Sequence, residues 1–393
     1  MSNKETPQVI AAIILSCAGV FMVWGMPIFL GGLESVFKFD QTQANLIMSA
    51  EFAGMTLSSI LSILWIGRFD WRKVALCALL AIVLGNLITS YISTDNISAF
   101  RLLVGIRFFT GLVGTGTAFA LGIAAVGNTS EPDKNFGYAI ASQIAMGSLI
   151  AFFVPNLIEK YGIAGMCFPA VILAVVAITL TSKLATSGGV QPHRSIENQT
   201  AELSFFRKYK LPIVGLLVMV FWQMGVGSFF NNLVLLKDSF NLEESIITNI
   251  IGLSTLLSII GPLSASALAS KVKRTIPVSL ALVVQLLIVL SFQGELTWGG
   301  FAIRAILFQT AWNFSGPFLM GMIATMDKTG RFSALIPASQ LGGIALGGAI
   351  IASLAQGNNL VTINYFCALV IFLSVFLFIL VSGKMSKETK QAS

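Results

Sequence analysis

The chain has 393 residues with 24 Lys and Arg and 17 Asp and Glu, so 10% carry a formal charge, against ~25% in an ordinary soluble domain. With 55% hydrophobic residues, a water-soluble fold of this size would expose large apolar patches, and a disordered chain could not keep so much aliphatic and aromatic surface solvated. The net charge of +7 would fit a nucleic-acid binder only if the basic residues gathered on one face.

A transmembrane helix needs about 20 mostly apolar residues. Runs of that length recur along the whole chain and predict twelve spans: 8–31, 43–66, 73–93, 98–123, 137–157, 163–183, 210–236, 246–270, 276–293, 299–323, 333–354 and 361–382. The first carries Trp24 and Pro27, exceeds the apolar core of a signal peptide and has no small-residue cleavage pattern after it. The second holds Glu51, the one carboxylate deep within a span. The third is apolar apart from Asn86, while the fourth carries Arg101 and Arg107 followed by glycines. The fifth opens on Ala141, Ser142 and Gln143 and is rich in small residues, and the sixth is nearly all apolar. A Gly, Pro and charge-bearing stretch, 184–209, reads as a linker and holds the sole histidine, His193. The predicted organisation is therefore an N-terminal six-helix bundle over 1–183, a cytoplasmic linker over 184–209 and a C-terminal six-helix bundle over 210–393.

In the second half, the seventh span carries Trp222, Gln223, Asn231 and Asn232, and the ninth is apolar apart from Gln285. The tenth has Arg304, Gln309, Trp312 and Asn313, the eleventh Gln340 with Gly342, Gly343, Gly347 and Gly348, and the twelfth is apolar. With the N-terminus placed inside, the opposite side holds Lys38, Lys160 and Lys237, and Arg101, Arg107 and Arg304 fall within spans. All the remaining basic residues lie on the inner side, the pattern expected of cytoplasmic loops. Topology thus accounts for the basic balance, and no nucleic-acid face is left. Both termini are expected in the cytoplasm. The four cysteines (Cys17, Cys77, Cys167, Cys367) lie inside apolar spans without CxxC spacing and are read as packing residues.

The two halves repeat. Trp24, Gly25, Met26 answer Trp222, Gln223, Met224, and Ala141, Ser142, Gln143 answer Ala338, Ser339, Gln340 at nearly the same offset on corresponding spans. A two-repeat membrane bundle is the architecture of a secondary transporter with a site near the midplane. The nearly apolar third, sixth, ninth and twelfth spans are read as lipid-facing scaffold. The fourth, seventh and tenth carry polar groups too costly to leave in hydrocarbon, so they are expected to line a cavity.

Glu51 is costly to keep charged in hydrocarbon, so it could take up and release a proton during transport; a static ion pair is the alternative. Arg107 enters the fourth span at similar depth, which makes the two plausible neighbours. If paired, the carboxylate stays ionised until substrate or a conformational change parts them. Arg107 could equally tie helices together. Arg304 is shallow enough to snorkel, with binding of a substrate anion as its other reading. Trp24, Trp222 and Trp312 sit away from span ends and either pack or stack on a substrate. Gln143 and Gln340 suit interhelical hydrogen bonds or solute contact.

On these motifs the chain resembles the major facilitator superfamily over essentially its whole length. Arg107, Gly111, Gly114 and Gly116, standing as RFFTGLVGTG, look like that superfamily's Arg and Gly motif. The turn Gly67, Arg68, Phe69, Asp70, Trp71, Arg72, Lys73 is similar to its loop signature but departs in the spacing of the aspartate. Asp327, Lys328, Thr329, Gly330, Arg331 look like the related loop of the second half. The resemblance implies a cytoplasmic gate at Asp70, Arg72, Asp327 and Arg331. The Gly-Pro motif that antiporters of the superfamily often carry is missing from 147–155, GSLIAFFVP, which favours symport over export.

The expectation is an all-α membrane protein of twelve transmembrane helices in two six-helix pseudo-symmetric bundles, multi-pass in a bacterial inner membrane, acting as a monomer within the lipid bilayer. It would be a secondary active transporter, not an enzyme, without cofactor or metal, moving a small organic solute by alternating access with protons as the coupling ion. An organic or aromatic anion is the first substrate choice, and a proton-coupled antiporter exporting a metabolite or drug is the alternative. Glu51 and Arg107 are the proton-coupling candidates. Trp24, Arg107, Gln143, Trp222, Gln223, Asn231, Arg304, Gln309, Trp312, Asn313 and Gln340 are the substrate-binding candidates.

Overall fold

The structure, a computed structural model, describes residues 5–92, 97–187, 209–231, 233, 240–327, 329–354 and 360–392. The described residues are almost entirely helical, with no strand among them. Most of the predicted linker, together with His193, Asn232, Lys237 and Lys328, lies outside the described residues.

The first predicted span is two helices. Helix α1 (Thr6–Trp24) stops at Gly25, and α2 (Met26–Phe37) starts with a proline in its first turn. Pro27 has no N–H to continue the ladder of α1, but that missing donor costs nothing at a helix start. Next, α3 (Gln41–Trp65) opens on a capping box in which Asp40 Oδ1 accepts from Gln43 N–H and Gln43 Oε1 accepts from Asp40 N–H. Asp70 caps α4 (Trp71–Tyr91) by accepting from Arg72 N–H at 2.8 Å. The fourth span comprises α5 (Ile97–Phe109), a π-helical turn (Thr110–Thr115) and α6 (Gly116–Gly127). Two long helices, α7 (Pro132–Tyr161) and α8 (Ala164–Leu180), complete the first half.

In the second half the passages are α9 (Lys210–Asn231), the pair α10 (Glu244–Leu257) and α11 (Ile260–Leu268), α12 (Thr275–Ser291), α13 (Trp298–Met326), α14 (Ile336–Leu354) and α15 (Leu360–Ala392). Ten passages are individually long and apolar enough to cross a membrane. The shorter α12 and the 29-residue α13, whose hydropathy is diluted by Arg304, Gln309 and Asn313, bring the passages to twelve.

The scaffold helices carry apolar stripes at helical spacing on their exposed faces: Leu76, Leu80, Leu84 and Ile88 on α4, Phe168, Ile172, Val175 and Val176 on α8, Ile276, Leu280 and Leu287 on α12, and Tyr365, Leu369, Phe372 and Phe376 on α15. Such stripes suit lipid tails. Cys17, Cys167 and Cys367 are buried, but Cys77 is exposed on the outer face of α4, so packing does not account for that thiol.

The chain forms two compact units: unit 1 comprises Met1–Ser130, Ala141–Gly188 and Thr329–Ala338, and unit 2 comprises Glu131–Ile140, Gly189–Lys328 and Ser339–Ser393. Unit 2 thus includes the first turns of α7, and unit 1 the loop before α14 with its first three residues. In unit 1 the Ser59 hydroxyl of α3 donates to Ala334 O at 2.7 Å, and in unit 2 the Ser266 hydroxyl of α11 donates to Lys134 O at 2.8 Å. A serine hydroxyl on a backbone carbonyl thus serves in each unit. The core of unit 1 gathers Phe21, Phe29, Leu33, Ile47, Leu103, Ile150, Met166 and Cys167. That of unit 2 contains an aromatic cluster in which Phe229, Phe240, Phe292, Phe301 and Phe308 meet edge to face at 5.3 to 5.8 Å.

Candidate functional site

In unit 1, α3 crosses the junction of α5 and the π turn on two glycines. Gly54 lies against Phe108 O and Leu112 N, and Gly111 against Glu51 O, so neither position has room for a Cβ. This close approach puts side chains one turn from each glycine face to face. Arg107 Nη1 donates to Glu51 Oε2 at 3.3 Å, and both side chains are 0% exposed. Thr115 Oγ1, at the end of the π turn, donates to Glu51 Oε1 at 3.3 Å.

The rest of the guanidinium is held by α4. Nη2 donates to Gly85 O at 3.2 Å, Asn86 Oδ1 at 3.2 Å and Thr89 Oγ1 at 2.5 Å, and Nε reaches Thr89 Oγ1 at 3.2 Å. On its remaining side, the Phe29 ring of α2 stands 5.4 Å from the guanidinium carbon. Both side chains are buried, and the guanidinium is hydrogen-bonded on every described side except the one Phe29 covers. A buried ion pair in this state is strongly destabilised by loss of one partner, though not by a well-packed neutral replacement of both.

Unit 2 contains the same crossing without the charges. Gly261 of α11 lies against Thr310 O and Phe314 N of α13, as Gly54 lies against Phe108 O and Leu112 N. Counted from these contacts, Glu51 corresponds to Ser258 and Arg107 to Gln309. There, Gln309 Nε2 donates to Thr255 Oγ1 at 2.9 Å and Asn313 Nδ2 to Ser258 Oγ at 2.8 Å. Neutral groups hold one crossing, and an ion pair holds the other. Three further asymmetries fall at the same place: the helical break at Gly25 answers to Gln223 within unbroken α9, the π turn has no counterpart in α13, and the interruption between α10 and α11 at Ser258 answers to Glu51 within unbroken α3. π turns and helix breaks cost backbone hydrogen bonds and are frequent at functional sites.

The other sequence candidates are dispersed. Trp222 is buried with its indole N–H donating to Gln285 Oε1 at 2.9 Å, and Gln285 in turn donates to Ser315 Oγ at 3.0 Å. Arg304 reaches back to Ser291 O, Ser291 Oγ and Gly300 O at 2.9 to 3.2 Å, the posture of a snorkelling side chain. Trp312 packs edge-on against Phe230 and Phe308. Trp24 is half-buried with its ring over Gly147, and Gln143 Nε2 donates to Ser16 Oγ at 3.3 Å. Gln223 is buried with its Oε1 unpartnered, Gln340 is half-buried on α14, and Asn231 is the last residue of α9.

Of the expected gate residues, Asp70 caps α4, Arg72 in its first turn donates through Nε to Leu184 O at 2.7 Å, Asp327 is buried just past α13, and the Arg331 guanidinium lies beside Gly67. An ion pair that the sequence did not reveal joins Arg274 Nε to Asp133 Oδ2 at 3.4 Å in unit 2. The two residues are far apart in the chain, and no motif connects them. A cavity of about 450 Å³ also opens beside the crossing in unit 1, lined by Leu46, Ser49, Ala50, Phe100, Arg101 and Val104.

Residues 9–327 match the sequence model of the Major Facilitator Superfamily. The chain belongs to that superfamily. Major facilitator proteins are transporters rather than enzymes, and this one is a multi-pass membrane protein. Its fold is shared with a bacterial homologue of the iron transporter ferroportin (14% identity, 97% of this chain and 100% of that one, TM-score 0.75). It is also shared with the human organic anion transporter MFSD10 (14%, 95% and 99%, TM-score 0.71) and with the transporter FucP (13%, 96% and 99%, TM-score 0.74). Among curated proteins, none matches the chain by sequence. Within this major facilitator chain, Arg107 and the glycines after it form the helix crossing, and the guanidinium contacts α4, the third passage, as well as Glu51.

Proposed function

We propose that this secondary transporter moves a small organic solute by alternating access and that the Glu51–Arg107 pair couples solute movement to protons. One observation carries the reading: of two helix crossings built alike, the one in unit 1 holds a fully buried ion pair where the one in unit 2 holds neutral side chains. If charge were needed only to fasten the crossing, Ser258 and Gln309 would not suffice. A proton on Glu51 dissolves the pair, leaves Arg107 to its α4 partners and Phe29, and so links protonation to the packing of α2, α3, α4 and α5. Proton-driven symport is the direction we favour, with export by exchange as the second reading; the missing Gly-Pro motif supports the first.

An organic anion remains the proposed substrate class. The cavity of about 450 Å³ supports it, because its lining is apolar apart from Ser49 and the exposed Arg101, which suits an aromatic or aliphatic body bearing one carboxylate. Both termini are assigned to the cytoplasm on the distribution of Lys and Arg, in a bacterial inner membrane. Asp70 and Arg72 at the start of α4, and Asp327 and Arg331 between α13 and α14, then lie on that side, and they are proposed as gate groups.

The experiment uses proteoliposomes and a solute first selected by thermal shift from a panel of aromatic and aliphatic monocarboxylates and their amides. Glu51→Gln should abolish accumulation driven by a proton gradient while exchange of labelled for unlabelled solute continues. Accumulation in that variant with an unchanged pH dependence would reject Glu51 as the proton carrier. Amides that shift the melting point as much as the acids would reject the anion assignment.

A further inference from the structure

The break in the first passage brings Phe29 to the Arg107 guanidinium, whereas the second half has a glycine at the aligned position. Helix α1 ends at Gly25, α2 restarts at Met26, and the Phe29 ring, itself 0% exposed, stands 5.4 Å from the Arg107 guanidinium carbon. The repeat that aligns Trp24 with Trp222 aligns Phe29 with Gly227. Gly227 lies against Ile344 and Gln223, and at Gln309, the counterpart of Arg107, the hydrogen bonds run to and from hydroxyl and amide groups. The aromatic face and the buried cation therefore occur together in one half, and both are replaced in the other.

The physics of the ring explains the association. An aromatic face attracts a cation through its quadrupole, most strongly when both are desolvated. With Glu51 ionised, Phe29 faces a neutral pair and gains little. With Glu51 protonated, it faces an uncompensated guanidinium whose other partners are Thr89, Asn86 and the Gly85 carbonyl. The charged or titratable groups that face the pair are few. Arg107 itself comes from α5 and the Cys167 thiol from α8, whereas α4 and the π turn contribute the uncharged Asn86, Thr89 and Thr115.

We propose that Phe29 is a positioning residue for the proton step: its ring holds the Arg107 guanidinium in place while Glu51 is neutral, and thereby sets the pH range over which the pair forms and dissolves. The proposal rests on the reading of Glu51 as the proton-carrying group. It makes α2 the element that senses the state of the pair, since Phe29 sits one turn beyond the break at Gly25.

The test is infrared spectroscopy of the full-length protein in liposomes, following the protonated-carboxyl band through a pH titration, with Glu51→Gln to identify the band. Phe29→Leu and Phe29→Met, which keep apolar bulk without an aromatic face, should move the half-point of the band to lower pH by about half a unit to one unit. Phe29→Tyr, which keeps the face, should restore the wild-type half-point. A half-point unchanged in both aliphatic variants would overturn the role of Phe29 and leave Glu51 untouched. A titration identical in Glu51→Gln and the parent, with no component lost, would instead overturn the underlying assignment of the proton. A shift in Phe29→Leu and Phe29→Met that Phe29→Tyr fails to reverse would show that packing rather than the ring face matters, and would also reject the proposal. Misfolding is detected by the elution profile, and if either aliphatic variant misfolds, the other still decides the outcome together with Phe29→Tyr.

Discussion

Replacing Glu51 by Ser and Arg107 by Gln together would give the crossing of unit 1 the residues that hold the crossing of unit 2. Each substitution alone leaves a buried charge without its opposite. Glu51→Ser strands a guanidinium, and Arg107→Gln strands a carboxylate whose one remaining donor is the Thr115 hydroxyl. Losing one partner of a buried pair costs about 3 to 5 kcal/mol. In the double variant neither charge remains. Thr89 still donates to Gly85 O, and Asn86 still donates to Ile82 O, so α4 keeps its internal bonds. A glutamine at 107 can satisfy the Asn86 Oδ1 atom that Arg107 now contacts. The double variant should therefore fall within about 1 kcal/mol of the parent, since replacing both members of a buried pair is often nearly neutral.

A double-mutant cycle on purified protein in bicelles, unfolded with a denaturing detergent, measures this as a coupling of several kcal/mol between positions 51 and 107. The same double variant in proteoliposomes should show exchange of labelled solute without gradient-driven accumulation. A double variant as unstable as the singles would refute the reasoning, because the charge pair would then be what fastens α3 to α5.

Gly54→Ala should prevent recovery of monodisperse protein, because the new methyl group would meet the Phe108 carbonyl and the Leu112 amide, whereas Gly105→Ala and Gly348→Ala, which have open space around them, should elute as the parent does. Trp222→Phe should cost about 1 to 3 kcal/mol in the same unfolding assay by leaving Gln285 Oε1 without its donor. An unchanged stability would show that this buried chain of hydrogen bonds is not structural.

Much of the architecture was legible because hydrocarbon imposes a length on every passage. Glu51 and Arg107 were legible for the same reason: a charge within a span must find a partner at its own depth. What surrounds them was not. Pro27 marked a helix start, yet an uninterrupted apolar run concealed the break at Gly25, since Gly and Pro are tolerated within membrane helices. Nothing in the composition of TGLVGT distinguishes a π turn from an α turn. Thr89, one turn beyond Asn86 on the same face of α4, was the available signal for the third wall of the site, but threonine in a span ordinarily bonds to its own helix, as this one also does. Trp222 and Trp312 looked alike by depth. Only the three-dimensional arrangement distinguishes an indole fixed by Gln285 from one packed among phenylalanines. The Asp133–Arg274 pair joins distant segments, for which a single sequence holds no pairing rule.

The claim that Glu51 gains and loses a proton is tested most directly by measuring, in lightly buffered proteoliposomes, the protons that enter with each solute molecule selected by the thermal-shift panel. The account predicts solute-dependent alkalinisation outside the vesicles in the parent and none in Glu51→Gln, although that variant still exchanges solute. The same alkalinisation in both proteins would contradict it.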